Sequence, residues 1–400
     1  MQVKKNVLLL NRYPYWLYDH KGFFMEDVDN LIILHSNETN FDFPKEKFRT
    51  AMICDFGNKE ELNDCIEFLY KYCNFDQVVS VTERFVLLAA QIRDKYSLNG
   101  MDYQTALKFR DKLLMKVEVR KAGIRTPYFL KAKDIDNVRD FYEKYGSCVV
   151  KPLDGMGSVS TYFVKSLDDI SQLNKINSKL TNYIVEEHIE GDMYHCDSIV
   201  EQGDIKMCSI SQYSRPPANF SNGQNLSSVM IENSPLREEI ERLNQKVLKT
   251  LNIINGVTHL EFFVTSEKEI IFCEVGSRAG GSGIIPSIQE VYGINLFKAD
   301  IHTQLQSSVR INKSDQYAGW LIIVGKPGII DEISNENEFT YSWITYKNVM
   351  HSKGDTLEEV KSSTGAVAEF TIVGRSEWDV KQKIRFIEKN FKLEVINYEL

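Results

Sequence analysis

The stretch Ile270–Gly283 reads Ile-Ile-Phe-Cys-Glu-Val-Gly-Ser-Arg-Ala-Gly-Gly-Ser-Gly. Its apolar start, Ile270 to Phe272, predicts a buried strand, and its run of small residues predicts a loop with little side-chain cover. Between them lie one carboxylate, Glu274, and one guanidinium, Arg278. A strand thus leads from an acid to a base and then into a loop of small residues.

The preceding segment, Val257–Val264, predicts a second strand that carries His259 and Glu261. If the two strands pair as a hairpin, Glu261 and Glu274 can face the same way. Two carboxylates beside an arginine and bare backbone can hold Mg2+ and support phosphoryl transfer. The alternative for this stretch alone is an acidic strand pair with solvated carboxylates, and the remainder of the chain has to decide between the two.

Bulk composition limits the classes of function. The 400 residues are enough for two or three domains, and 43% hydrophobic with 26% charged residues is ordinary for a globular protein. The net charge of -8 argues against a nucleic-acid partner. The seven cysteines include no CxxC spacing, which indicates reduced thiols. The sequence has no apolar run of 18 residues, so we expect a cytoplasmic protein without a membrane partner.

The N-terminal region predicts a parallel α/β sheet. Short apolar runs at 6–10, 31–34, 52–55 and 77–81 predict strands, and 59–72 has the apolar spacing of a helix. The turn after the first strand lacks a glycine-rich phosphate fingerprint, which disfavours a dinucleotide-binding domain and an NAD-dependent oxidoreductase. Glu83 follows the fourth strand, where it either contacts substrate or stabilises the N-terminus of the next helix.

The next region suggests a phosphate site. A long helical segment at 102–122 is followed by a buried strand that ends in Lys151, and then by a loop with Gly155, Gly157 and Ser158. Backbone N–H groups of such a loop can cover a triphosphate, although no Walker A sequence closes it. A glycine-rich hairpin turn is the plain alternative.

The following segments supply further candidates. The strand Tyr183–His188 leads into a turn whose backbone can meet adenine, and Glu186 can accept from the adenine amine region. Alternation over Met193–Val200 places His195 and Asp197 on one face, with a solvated strand face as the alternative. The polar segment Ser214–Ser228 predicts a lid with Arg215 as a candidate anion contact.

The C-terminal quarter carries no catalytic motif. From about residue 309 the pattern predicts a small α+β lobe. Its predicted strands and helix are 320–324, 340–346, 366–373, 378–390 (the helix) and 393–398.

Taken in order, these pieces resemble the ATP-grasp superfamily of ATP-dependent carboxylate–amine ligases over roughly residues 75–285. The motifs that carry the resemblance are Arg110–Lys116, Gly123–Pro127, Val149–Pro152 with its Gly/Ser loop, Val185–Gly191, His259–Glu261 and Glu274–Arg278. The form Glu-Val-Gly-Ser-Arg, with His259 before Glu261, is similar to the amino-acid (dipeptide) ligase branch.

The resemblance implies a domain plan. It implies an ATP-grasp fold with an N-terminal Rossmann-like parallel α/β domain at 1–105 and a small C-terminal α+β lobe at 309–400. The ATP-grasp domain between them, 106–308, would divide into a lid subdomain at 106–185 and a metal and catalytic subdomain at 186–308.

The resemblance also implies roles for particular residues. Lys112 and Lys151 would reach the ATP phosphates, with Lys151 and Arg278 as catalytic residues, and Gly155–Ser158 would be the phosphate loop. The adenine hinge would be Glu186, Glu187, His188 and Ile189. Glu261 and Glu274 would bind Mg2+, for which Mn2+ is an alternative. Arg278 would meet the transferring phosphate and the acyl oxygens.

Two positions depart from the family pattern. Gly276 stands where many members have a further metal-ligating Asn, and Met193 stands at the position of the ribose-binding Glu. Asp192 or Glu190 would then bind the ribose.

The leading hypothesis is therefore an ATP- and Mg2+-dependent ligase that activates a small carboxylate as an acylphosphate and joins it to an amine. The alternatives are transfer to the thiol of an acyl carrier protein and a non-catalytic ATP-binding protein. Whether the chain forms a homodimer is left open by the sequence. The candidate substrate residues are Glu83, His195, Asp197, Arg215, His259, Arg278 and Gly281.

Overall fold

The computed structural model describes residues 5–14, 28–41, 48–157, 159–217, 224–358 and 366–396. Ser158 of the predicted phosphate loop and residues 218–223 of the predicted lid lie outside the described residues. Within the described part of the chain, no helix is long and apolar enough to cross a membrane.

The N-terminal region forms a four-stranded parallel sheet in the order β3-β2-β1-β4. Its elements are β1 (Lys5–Asn11), β2 (Val28–Ser36), β3 (Thr50–Cys54), α1 (Lys59–Cys73), β4 (Gln77–Val79) and α2 (Val86–Tyr96). Asn58 caps α1 by accepting from the backbone N–H groups of Glu60 and Glu61. The predicted strands and the helix at 59–72 are confirmed, because the apolar stripe of α1 buries Leu62, Ile66 and Leu69 against the sheet.

The predicted helical segment at 102–122 is confirmed as helical, but it is divided. The structure has two helices, α3 (Tyr103–Lys108) and α4 (Lys112–Lys121). The Asp111 side chain accepts from the backbone N–H of Leu114 and so starts a new helix. This break places Lys112 at the first position of α4.

A second sheet is antiparallel and has the order β5-β8-β6-β7. We call it the lid sheet. Its strands are β5 (Phe129–Lys131), β6 (Cys148–Pro152), β7 (Tyr162–Val164) and β8 (Tyr183–Glu187). Helix α5 (Ile135–Tyr145) lies between β5 and β6 in the chain, and a 3-10 segment (Asp168–Asn182) lies between β7 and β8. Val150, Val185 and Phe141 are buried in its core.

The central sheet has eight strands in the order β13-β12-β9-β10-β11-β14-β18-β16. Its first half and the associated helices are β9 (Asp192–Glu201), β10 (Asp204–Tyr213), β11 (Leu226–Met230), α6 (Pro235–Leu251), β12 (Gly256–Val264), β13 (Ile270–Gly276), α7 (Ile284–Tyr292) and α8 (Leu296–Gln304). The predicted lid is shorter than expected, because all five residues of β11 are buried in this sheet.

The C-terminal strands extend the same sheet. The elements are β14 (Tyr317–Ile323), β15 (Gly328–Ile333), a 3-10 turn (Glu336–Glu338), β16 (Ile344–Val349), β17 (Thr356–Leu357), β18 (Ala368–Gly374), α9 (Glu377–Asn390) and β19 (Leu393–Ile396). β14 pairs with β11, whereas β17, β15 and β19 form a separate three-stranded sheet. The expected strand at 340–346 begins later, at Ile344, and the domain boundary at 308/309 stays a prediction.

Candidate active site

The two carboxylates of the acidic hairpin lie directly opposite each other. β12 and β13 pair antiparallel, and Glu261 is the register partner of Glu274. Directly opposed residues on paired strands project to the same face of a sheet. The hairpin predicted from the sequence is therefore confirmed, and both acids face the cleft between the lid sheet and the central sheet.

Two lysines converge on Glu274. Its Oε2 atom lies 3.2 Å from the Nζ of Lys151 and 3.5 Å from the Nζ of Lys112. Lys151 comes from the end of β6 and Lys112 from the start of α4, so the site joins the lid sheet to the hairpin. Burial acts to raise the pKa of Glu274, but the charges of Lys112, Lys151 and Lys116 outweigh it and lower the pKa. Glu274 is therefore a carboxylate at neutral pH.

A third lysine, Lys116, was missed by the sequence interpretation. It is fully buried, and its Nζ lies 3.4 Å from Oε1 of Glu186. Lys151 reaches the other oxygen of Glu186 at 3.2 Å. The available signal was the spacing of four residues from Lys112, which places both side chains on one face of α4. Three lysines thus surround Glu186 and Glu274, and their ammonium groups suit a polyphosphate.

The cleft that holds these groups has a volume of about 130 Å3. It brings together many of the residues proposed for nucleotide and metal binding, namely Lys112, Lys151, Gly155, Glu186, Glu187, His188, Ile189, Glu261 and Glu274. Val149, Phe163, Met193 and Phe263 add apolar walls that suit a flat aromatic base.

The predicted adenine hinge also makes contacts that hold the fold together. The backbone N–H groups of Glu187 and His188 donate to the carbonyls of Tyr128 and Ser147. The Glu187 carboxylate accepts from Arg125 and from the Tyr128 N–H, so that side chain is structural. Glu186 Oε1 is buried and ion-paired with Lys116, but among the described residues it accepts no hydrogen bond of good geometry. An adenine amine would add such a donor.

Other predicted ligand residues are not brought into the cleft. Gly157 and Asp192 are exposed and do not line it, and Ser158 is outside the described residues. Arg215 bonds to Gln224, and its neighbours Pro216 and Pro217 reach the cleft wall. Ribose binding by Asp192 therefore stays a prediction.

His195 and Asp197 share one strand face, as the alternation predicts, but the alternative of a solvated face is wrong. Both side chains are buried by the neighbouring strands of the central sheet. Asp197 accepts from the Nδ1 atoms of His195 at 2.6 Å and of His259 at 2.9 Å. His195 Nε2 lies 2.8 Å from the Ser228 hydroxyl. We call these four residues the histidine–aspartate network.

The network ends at a proposed metal ligand. His259 Nε2 lies 3.5 Å from Oε1 of Glu261, and the Tyr213 hydroxyl donates to the same oxygen at 3.1 Å. Burial acts to lower the pKa of His259, but Asp197 and Glu261 raise it to about 9. Burial acts to raise the pKa of Asp197, and the two histidines lower it well below its usual value. The network therefore holds Glu261 in a fixed orientation with a cationic His259 beside it.

Arg278 is positioned by the N-terminal region. Its Nε donates to Glu83 Oε2 at 2.5 Å, and Arg110 pairs with the other Glu83 oxygen. Glu83 is buried, and burial acts to raise its pKa, but the charges of Arg278 and Arg110 lower it. Both carboxylate oxygens are thus held by arginines. Two arginines against one glutamate leave net positive charge, which suits an acyl carboxylate or phosphate.

Gly276 has a packing explanation. A Cβ atom at this position would lie 3.4 Å from Cγ of Arg278 and 3.7 Å from Oε2 of Glu83, which is ordinary contact. A longer side chain such as Asn would have to share this space with the Arg278–Glu83 pair. Gly276 therefore leaves room for that pair.

The small residues at 280–283 do not form one bare surface, contrary to expectation. A Cβ on Gly280 would lie 2.9 Å from both Asp197 Oδ1 and His259 Nδ1, and a Cβ on Gly283 would lie 2.2 Å from Trp320. Gly281 alone of these three has open space in the direction of a Cβ. Two glycines thus allow close packing, and Gly281 keeps its place as the candidate substrate contact.

The donor set fits a divalent cation beside a nucleotide. Glu261 and Glu274 provide opposed carboxylate oxygens, which Mg2+ prefers, and the remaining oxygens of a bound cation would come from phosphates and water. The lysines around Glu274 sit where polyphosphate charge would lie.

Comparisons with known proteins agree with this geometry. Residues 145–286 match the model of the ATP-grasp domain. An L-arginine-specific L-amino acid ligase of Bacillus subtilis is 27% identical over 80% of each chain. An alanine–anticapsin ligase of Bacillus subtilis is 21% identical over 55% of this chain and 52% of its own. The crystal structure of an L-amino acid ligase from Bacillus licheniformis superposes with a TM-score of 0.79 at 18% identity, covering 98% of this chain and 99% of that one.

The fold and the site thus define an ATP-grasp protein, with the ATP-grasp domain matched over residues 145–286. The amino-acid ligases among its relatives agree with an ATP-dependent carboxylate–amine ligase.

Proposed function

We propose that this ligase joins the carboxylate of one amino acid to the amino group of another, forming a dipeptide, ADP and phosphate. The observation that carries the proposal is the convergence of Lys112 and Lys151 on Glu274, which lies opposite Glu261. Arg278, which follows Glu274 closely in the sequence, pairs with Glu83. The amino-acid ligases among the relatives support the choice of substrate class.

Nucleotide binding would use the lysines of the cleft. Lys112 and Lys151 would neutralise the phosphates, and Lys116 would hold Glu186 at the hinge. Mg2+, when bound by Glu261 and Glu274, would neutralise charge on the phosphates during transfer. The histidine–aspartate network and Tyr213 would keep Glu261 in the orientation that a metal ligand requires.

The chemical steps would depend on positioning. The substrate carboxylate, held by Arg278, would attack the γ-phosphate of ATP to give an acylphosphate and ADP. The amine of the second substrate would then attack the acyl carbon, and phosphate would leave as the amide bond forms. Arg278 would stabilise negative charge on the acyl oxygen in this second step, so no nucleophilic side chain is needed.

A screen of amino-acid pairs tests the proposal. ATP and Mg2+ are supplied with single amino acids and with pairs, and ADP release and peptide mass are measured together. We expect ADP release to rise at least about tenfold with the correct pair and a product mass equal to the two amino acids minus water. An intact ATP complex without turnover on any pair would contradict the proposal. Mass gain only on a phosphopantetheinyl carrier protein would point instead to the thiol acceptor.

Substitution at Gly276 tests the packing explanation and the role of Arg278. Gly276→Asn should lower kcat/KM by about 10- to 100-fold, because the longer side chain displaces the guanidinium by about 1 Å or more. Gly276→Ala is the matched control and should keep activity within about threefold, since its Cβ makes only ordinary contacts. Steady-state kinetics of ADP release measures both variants, and equal activity of the Asn variant would overturn the explanation.

A further inference from the structure

A second cavity lies away from the nucleotide cleft, between the N-terminal region and the central sheet. Its volume is about 180 Å3, more than ten times the ~10–15 Å3 that one water requires. It shares no lining residue with the cleft that holds Lys151 and Glu274. Its walls come from α2, the start of α3, the segment before β12, and α8. None of the steps proposed above uses it.

One carboxylate, Asp300, lines the inner part of this cavity. Asp300 is only 2% exposed. The Asp300 carboxylate accepts from the side-chain amide of Gln304 on Oδ1 at 3.0 Å and interacts with the Val257 N–H, whereas Oδ2 has no hydrogen-bond partner among the described residues. A buried carboxylate oxygen without a donor is costly, so it favours a ligand that brings one.

The nearest buried cation is already engaged elsewhere. Arg93 donates to the carbonyls of Val78 and Met101 and to Oε1 of Gln304. Gln304 therefore stands between Arg93 and Asp300, and no salt bridge joins them among the described residues. Arg93 therefore makes no hydrogen bond to Asp300 Oδ2 among the described residues.

A second carboxylate lies at the mouth of the same cavity. Asp102 is exposed and lines the cavity at the start of α3. The lining combines the apolar side chains of Val86, Ala89 and Met101 with polar ones. An acid at the mouth, an acid inside and a partly apolar lining form a pattern complementary to a short methylene chain with a cation at each end.

We propose that this cavity binds an aliphatic diamine, with one ammonium on Asp300 and the other on Asp102. Such a ligand would contact the N-terminal region, α8 and the segment leading into β12 at the same time. Ser277, the neighbour of Arg278, also lines the cavity. A bound ligand would therefore change the geometry beside the active site and act as an effector. This inference does not depend on the amino-acid substrates proposed above.

Three ligands with the same carbon chain distinguish the contribution of the ammonium charges to binding from the contribution of chain shape. Without ATP, the full chain is titrated calorimetrically with 1,4-diaminobutane, 1-butylamine and 1,4-butanediol. We expect the diamine to bind at least tenfold more tightly than the monoamine and the diol to show no binding. Equal affinities for the three compounds, or no heat with the diamine at 10 mM, would overturn the proposal.

Variants locate the binding. Asp300→Asn keeps the size of the side chain and should weaken diamine binding at least tenfold, and Asp102→Asn should weaken it several-fold. Asp331→Asn, at an exposed aspartate on β15, is the matched control and should bind as the wild type does.

Because Asp300→Asn changes a buried side chain, a second measurement uses wild-type crystals soaked with the diamine. Density in this cavity supports the proposal, whereas density only in the nucleotide cleft contradicts it.

Proton release gives an independent readout. Burial raises the pKa of Asp300 to about 7, although Gln304, the Val257 N–H and the charge of Arg93 oppose it. In the free protein the carboxyl is thus largely protonated at pH 6 and ionised at pH 8.5.

A bound ammonium favours the ionised form, so binding should release a proton at pH 6 and none at pH 8.5. Arg93, the buried cation that lines the cavity, keeps its charge over this range, because burial lowers its pKa only to about 10. Titration in buffers of different ionisation enthalpy measures the release, and equal release at both pH values would contradict the assignment.

Discussion

Glu274→Gln should lower ATP turnover by at least about 10²- to 10³-fold, because one neutral amide replaces the carboxylate on which Lys112 and Lys151 converge. The variant loses a proposed metal ligand and leaves uncompensated positive charge in the cleft. Since the lowered pKa of Glu274 makes it a carboxylate at neutral pH, the loss should be nearly constant between pH 6 and pH 8. ADP release with the best amino-acid pair measures the effect.

The matched control for this prediction is Glu269→Gln. Glu269 lies just before β13, is exposed, and pairs with Arg125 at 3.5 Å. Its substitution removes an acid from the same hairpin without touching the lysines, so activity should stay within about twofold. Manganese affinity, followed by electron paramagnetic resonance, separates metal loss from misfolding. Near-wild-type turnover and metal binding by Glu274→Gln would refute the metal assignment.

Asp197→Asn should destabilise the fold by about 3–5 kcal/mol at pH 6, because it removes the charge that His195 and His259 share in the interior. The fully buried position gives water no access to compensate for the loss. Urea unfolding in the presence of a chelator measures the difference. Asp204→Asn, at the exposed start of β10, is the control and should change stability by no more than about 0.5 kcal/mol.

The pH dependence of this effect has a definite sign. The pKa of His259 is raised from 6.5 to about 9, so its stabilising contribution is complete below pH 6.5 and is lost as the pH rises through 9. The lowered pKa of Asp197 means that its own contribution is present above pH 4 and is lost only in strong acid. The difference in the free energy of unfolding between wild type and Asp197→Asn should therefore become smaller from pH 6 to pH 10. A difference that stays constant would show that His259 is not the cation that Asp197 stabilises.

Much of the site could be predicted from the sequence because its residues belong to local motifs. Lys151 ends an apolar strand, and Glu261 and Glu274 lie on adjacent strands joined by a short turn. In each case strand periodicity fixes which way the side chain points. The parallel N-terminal sheet was likewise predictable from alternating apolar runs and a capped helix.

Other features depended on contacts between distant parts of the chain. Whether His195 and Asp197 face water or the interior depends on the strands beside β9 and on Tyr213, which local alternation does not reveal. The partners of Glu83, Arg110 and Arg278, come from positions 27 and 195 residues away. Lys116 was overlooked because a lysine on an amphipathic helix is usually exposed.

The sequence by itself determined the acidic hairpin and the position of Lys151 at the end of a strand, because short-range periodicity sets those directions, and its motifs carried the resemblance from which Lys112 was assigned to the phosphates. Only the tertiary structure decided how these groups are neutralised. It showed the arginines on Glu83, the buried acid between two histidines, the room that Gly276 leaves for Arg278, and the cavity at Asp300. The physical reason is that burial and charge pairing are properties of packing between elements, and a linear sequence does not specify which distant side chains will share one low-dielectric interior.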